Sequence, residues 1–393
     1  MTAAPVPLTS LRAVTRELVA PANLLDQLGP DGVAWLHDGG GFVTSGVAAR
    51  VEPAAAAGVL AEIEHDDAAG RPGTGPLAVG ALPFDPRASR ELIVPRRIVG
   101  RDAHGRGWVT ELGAASSLPP EALLAPTAFT VRELMSHDQW CAAVTAALDA
   151  IARGDLEKVV LARAVEVEAD HPFDVPTILE RLLVEQPGCF VYAVDGMVGA
   201  SPELLVRRRT LRIECRPMAG TVMATDEAAL QRLRASAKDA REHRVVVDAI
   251  VESLGPLCER LLVGAEPEVA RLASVAHLAT PIRGTLHDPA PDALAIARTL
   301  HPTPAVGGMP RAAALDAIDA LEPTARERYA GPVGWIDARG DGEWAVALRG
   351  AAIDGTRATL HAGAGIVAGS VPDDEWRETD AKLEPMMRAL TRT

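Results

Sequence analysis

Through the middle and end of the chain, apolar and polar positions alternate with a period of two. LEKVVLARAVEVEA, from Leu156, predicts a strand on which Lys158, Val160, Ala162 and Ala164 share one face. Residues 189–223 read as consecutive strands and residues 275–286 as one strand. Residues 331–365 read as a β-meander with hairpin-turn chemistry at Asp341-Gly342 and Asp354-Gly355. A helical period takes over elsewhere. Ser136 and Gln139 form a capping box for a helix that stops at Gly154. PTILERLLVEQ and PDALAIARTL predict two amphipathic helices, and residues 226–254 predict one long helix with Glu242 where its charged half meets its apolar half. HPTPAVGGMP is too rich in proline and glycine to be regular. In residues 1 to 130, GGFVTSGVAARVE predicts strand, turn and strand, AAAAGVLAEIE a helix, and GPLAVGALPFDP and ELIVPRRIVG further strands. Residues 106–129 read as loop-rich, and this whole third as scaffold.

Chemistry gathers in the stretch His361–Lys382. Its apolar run predicts entry into a glycine-rich turn at Gly363 and Gly365, followed by a helix from about Asp373. On that helix Glu375, Glu378 and Lys382 fall on one face, where a carboxylate could hold a cation and an ammonium an anion. Glu378 and Lys382 equally fit an ordinary surface ion pair. Elsewhere Glu203 follows a proline among apolar residues, which fits either a general acid or an exposed turn glutamate. Arg349 ends an apolar strand, where a charge needs an anion to meet. Lys158, a charge on a face of small apolar residues near a strand's start, by itself fits a solvated edge lysine more readily than a catalyst.

Composition narrows the class. The chain has 393 residues, 48% hydrophobic and 23% charged, which is ordinary for a globular protein. Its formal net charge of −14 argues against nucleic acid and anionic membrane surfaces, so an anionic substrate would need a local reversal of field. Cys141, Cys189, Cys215 and Cys258 lack zinc or disulfide spacing and predict reduced thiols. The first residues lack the pattern of a signal peptide, and the expectation is a cytoplasmic protein.

The ordered set KVVLARAV, GASPELL, RPMAGT, EHRVVVD, AHLATPIRG, HPTPAVGG and AGAGIVAGS…EWRETDAK resembles the chorismate-utilising enzymes, which include anthranilate, aminodeoxychorismate, salicylate and isochorismate synthases. GALPFDP resembles the isochorismate synthase branch. The resemblance implies a single α/β (α+β) domain over residues 1–393, with two packed β-sheets, helices on the outer faces and the catalytic region in 133–388. It implies chorismate as substrate, one Mg²⁺ per site, and a monomer with no amidotransferase subunit. It further implies Lys158 as the base that activates water at ring carbon C2 and Glu203 as the acid for the departing C4 hydroxyl. To act so, the lysine must be neutral part of the time, which burial and nearby cations favour. Glu242 and Glu378 match the Mg²⁺ ligands. Gly220, Thr221, His277, Tyr329, Arg349, Gly363, Gly365 and Lys382 match the substrate-binding positions, while Glu375 suits either the metal's surroundings or solvent. Ammonia-adding relatives carry glutamine where Lys158 stands, and the aminodeoxychorismate branch often has a lysine where Ala219 stands. Both differences favour water as nucleophile. Salicylate synthase is the alternative, with a non-catalytic chorismate binder behind it. His361 departs from the apolar or aromatic residue usual before AGAG.

Overall fold

In the computed structural model, residues 11–113, 124–223, 227–272 and 275–392 are described. Among these, twenty strands join in one hydrogen-bonded sheet and three in a second, with eight α-helices around them. All pairings are antiparallel except that of Arg12–Val19 with Glu64–Asp67. The large sheet runs as a strip from Phe129–Glu133 through Lys158–Ala169, Arg357–Ile366, Gly350–Asp354 and Met197–Ser201 to Phe190–Val194. There it passes to the first third of the chain through Ala34–His37, Gly40–Val51 and Leu92–Arg101. It returns by Leu77–Ala81, Pro332–Asp337, Gly342–Val346 and Leu204–Arg209.

Side chains from both parts of the strip meet face to face. Trp35, Phe42, Val79, Tyr192 and Trp335 share one buried cluster. The sheet-on-sheet packing implied by the resemblance is therefore present, but hydrogen bonds run continuously from one layer to the other. Helices cover the outer faces. His137–Arg153, Ala237–Leu254, Ala293–Leu300 and Arg311–Leu321 bury Trp140, Val246, Ile296 and Ile318 against Val159, Leu161 and Trp344. Val175–Glu185 and Pro372–Thr391 bury Leu179, Leu182 and Met386 against Val165, Val191 and Leu360. Each such aliphatic side chain contributes about 1.5–3 kcal/mol when fully buried. No helix among the described residues is long and apolar enough to cross a membrane.

The capping box at Ser136 and Gln139 forms, and Gly154 ends that helix with φ +82°. Several local expectations are corrected. Residues 40–51 make one strand rather than two, because Gly46 (φ +67°) and a register shift between Val47 and Ala49 absorb the irregularity without reversing the chain. Residues 106–112, expected in a loop, form a strand paired with both neighbours. The helix expected over 226–254 is two helices, Glu227–Ala235 and Ala237–Leu254, because Ser236 turns extended and its side chain accepts from the Asp239 N–H. Residues 275–286 split at Pro281 into strands of different sheets. The meander is two hairpins: Gly342–Val346 pairs with Leu204–Arg209, whereas Gly350–Asp354 pairs with Met197–Ser201. The chain changes neighbours at Arg349, whose φ of +51° is rare for a residue with a Cβ. The first hairpin turns at Gly340 (φ +75°), one step before Asp341-Gly342, and the second at Gly355 (φ +58°).

Candidate active site

Two neighbouring strands build the floor. Lys158–Ala169 pairs with Arg357–Ile366 along its length, setting Val160 opposite Gly365 and Ala162 opposite Gly363. The glycines expected in a turn thus lie in extended strand. What they supply is room. A Cβ at Gly365 would stand 2.5 Å from Glu242 Oε1 and 3.2 Å from Lys158 Cε, and one at Gly363 would stand 3.3 Å from the Tyr329 hydroxyl. Lys158 is 1% exposed, no edge lysine, and its Nζ donates to Glu242 Oε1 at 2.9 Å. Its nearest charged neighbour is therefore an anion, where cations were expected. Burial pushes the Glu242 carboxyl up, but the charge and hydrogen bond of Lys158 outweigh that and hold it below its ordinary range.

The opposite edge is set by an arginine that the sequence reading passed over. Arg163 lies on the other face of the Lys158 strand and is fully buried. It donates to Thr379 Oγ1 at 2.7 Å and Glu133 Oε2 at 2.6 Å, and it also binds Asp380. Its guanidinium lies 3.8 Å from the ring centre of Trp376. These contacts fix one face of helix Pro372–Thr391, so the other face, with Glu375, Glu378 and Lys382, turns inward. Lys382 Nζ donates to the Gly363 carbonyl at 2.9 Å and to Glu378 Oε1 at 2.6 Å. An arginine in the middle of an apolar strand was the available signal for this contact.

The remaining wall comes from the short strands. Glu203, between Met197–Ser201 and Leu204–Arg209, is buried; burial raises its carboxyl to about 7 against the opposing pull of the Met218 backbone, Lys158 and Lys382. His277 is held well below its ordinary value by burial, then by the charges of Arg349 and Lys382. Arg349 NH2 lies 3.2 Å from His277 Nε2, and because a guanidinium only donates, Nε2 accepts. The ring proton then sits on Nδ1, facing the Gly220 carbonyl at 3.3 Å and the Thr221 hydroxyl at 3.2 Å. Among the described residues, no carboxylate comes within ion-pairing distance of Arg349. A guanidinium so placed is suited to meet an anion. Tyr329 is buried, with its hydroxyl raised to about 12 chiefly by burial, and its ring stacks on His361 at 5.2 Å. His361 thus fills the aromatic position as a neutral ring, pushed down to about 4 by burial, and its Nε2 is buried without a partner.

These groups enclose a cavity of about 660 Å³, counting its open mouth. Every candidate from the sequence lines it except Glu375 and Lys158, the latter standing directly behind Gly365 and Glu242. The carboxylates are crowded. Glu375 is raised by burial and then by Glu378, and Asp239 by burial with Glu242 and Glu378 adding to it. Lys238, which the sequence reading also passed over, sits 3.4 Å from Glu375 Oε1. Glu242 and Glu378 each spend Oε1 on a lysine and present hard oxygen donors to one cavity. That donor set in that crowded field fits a hydrated Mg²⁺.

Known proteins are similar to the chain over most of its length. A Mycobacterium tuberculosis chain provisionally named isochorismate synthase MenF is 41% identical over 351 residues, covering 84% of this chain and 90% of its own. The isochorismate synthase EntC of Escherichia coli K12 is 36% identical over 330 residues, covering 80% and 81%. The solved structure of MenF, the menaquinone-specific isochorismate synthase from Escherichia coli, matches with a TM-score of 0.84 at 28% identity, covering 98% of this chain and 95% of that one. Residues 109–391, which include every candidate residue of the cavity, match the model of the chorismate binding enzymes. The chain belongs to that family.

Proposed function

We propose that the chain is an isochorismate synthase, which converts chorismate to isochorismate by adding water at C2 and expelling the C4 hydroxyl. The observation that carries this reading is a proton donor and an amine set around one anion-holding cavity. Glu203 keeps its proton up to about 7, and Lys158 stands behind the gap that Gly365 leaves in the cavity wall. Arg349, without a carboxylate partner among the described residues, and Lys382 anchor the substrate's carboxylates. As the water oxygen bonds to C2, Lys158 in its neutral form, its own extra proton given up to solvent beforehand, takes the proton that the water releases. As the C4–O bond breaks, Glu203 gives its proton to the leaving hydroxyl, which departs as water. Glu242 and Glu378 would hold Mg²⁺, which when bound supplies positive charge to a substrate carboxylate. With water as nucleophile, no ammonia-delivering subunit is required. The curated relatives' names and the reach of the family match support the same reading.

Incubation of the protein with chorismate and Mg²⁺, followed by chromatography, tests it. Isochorismate is the expected product. Salicylate with pyruvate would make it a salicylate synthase, anthranilate formed with ammonium would overturn the role of Lys158, and tight binding without turnover would leave a binder.

Gly365→Ala gives a finer check of the floor. The added methyl meets Glu242 Oε1 at 2.5 Å and closes the gap before Lys158. Turnover is expected to fall by about 100-fold, the scale of a displaced catalytic group, with a higher Mg²⁺ requirement in titrations. An unchanged rate and Mg²⁺ dependence would show that the gap has no role.

A further inference from the structure

Away from the cavity, the first turns of two helices meet around His137, Cys141 and Asp373. We propose that these three side chains form a binding site for a divalent transition-metal ion, Zn²⁺ by donor type, that ties the helix of Glu378 and Lys382 to helix His137–Arg153. His137 and Cys141 stand four residues apart, on one face of their helix. Asp373 comes from the start of helix Pro372–Thr391. The three donor atoms all lie within 4.8 Å of one another. His137 Nε2 is 3.0 Å from Asp373 Oδ1 and 3.8 Å from Cys141 Sγ. Tetrahedral Zn²⁺, with bonds of about 2.0–2.3 Å, sets its ligand atoms roughly 3.3–3.6 Å apart. The two distances from His137 Nε2 bracket those values and the third lies within 4.8 Å, so rotation of the side chains, with the helices in place, would close the shell.

The frame around the donors is already packed. Trp376 meets the His137 ring edge-on at 5.1 Å and is braced by Trp140 at 6.2 Å. Trp140 Nε1 also donates to the Pro372 carbonyl at 3.2 Å, fixing the start of the second helix. One nitrogen, one sulfur and one carboxylate oxygen suit a borderline-soft ion and not Mg²⁺. His137 and Asp373 are exposed, which leaves the fourth position to water. Burial, with Asp373 and Asp138, keeps the Cys141 thiol protonated in the metal-free chain, so binding releases that proton to solvent.

Co²⁺ is the probe, added to reduced protein in saturating Mg²⁺ so that the cavity carboxylates are occupied. Wild type is expected to bind one Co²⁺ with a thiolate-to-cobalt charge-transfer band in the near ultraviolet. Cys141→Ser should lose that band, and His137→Gln should weaken binding by more than the roughly 10–100-fold that losing a supporting contact costs. Zn²⁺ should raise the melting temperature of wild type and leave Cys141→Ser unmoved. Absence of the band in wild type, its persistence in Cys141→Ser, or equal stabilisation of both by Zn²⁺ would each overturn the site and reduce the cluster to a His137–Asp373 contact. None of these outcomes depends on turnover of chorismate.

Discussion

Lys158→Gln should lower turnover of chorismate by about 10²–10⁴-fold, the usual contribution of a positioned base, while binding changes little. Glutamine is chosen because of the contact with Glu242. Alanine would leave a buried carboxylate without its 2.9 Å partner, and stranding one member of such a pair costs about 3–5 kcal/mol. Loss of activity could then be loss of fold. The amide of glutamine can still donate to Glu242 Oε1, yet it cannot accept a proton from water. Calorimetry with chorismate and a thermal melt establish that Lys158→Gln folds and binds; the product assay reads the rate. Turnover within tenfold of wild type would remove Lys158 from the proton transfers.

Glu203→Gln should be as damaging to the rate and should stabilise the protein in alkali, two effects that a purely structural glutamate would not show together. The acid role requires the protonated form, so wild-type turnover on the alkaline side should decline through about pH 7. The folded carboxyl titrates above its unfolded counterpart, so the folded state holds the extra proton. The stability this contributes is complete below the unfolded value near 4.3 and is lost as pH rises through about 7. The rise corresponds to about 4 kcal/mol against the ionised folded form, discharged when the group becomes glutamine. The melting temperature of Glu203→Gln relative to wild type should therefore be higher at about pH 8 than at about pH 4. A constant difference across that range, or a variant that turns over normally, would refute the assignment.

Much of this centre could be read along the chain because its parts signal locally. The Ser136–Gln139 box, the proline that opens the last helix and the alternation from Lys158 each follow from short-range rules. So does the shared face of Glu378 and Lys382, which the structure turns into a 2.6 Å contact. What failed to show depends on pairing at long range. Lys158 and Glu242 are 84 residues apart, and no pattern around either names the other. Gly363 and Gly365 read as a turn because glycine is usually spent on backbone conformation; here they are spent on volume, visible only once a neighbouring strand and helix arrive. Arg349 was flagged for its charge, but the exchange of strand partners that places it belongs to the sheet.

The buried clamp of Arg163 has a consequence for how the protein should fail. One strand carries the amine on one side and this guanidinium on the other, and the guanidinium grips the middle of the helix that bears the proposed cation ligand Glu378 and substrate anchor Lys382. Loosening that grip would misalign both at once while the sheet beneath stays intact. Warming should then silence the enzyme several degrees before calorimetry registers any melting.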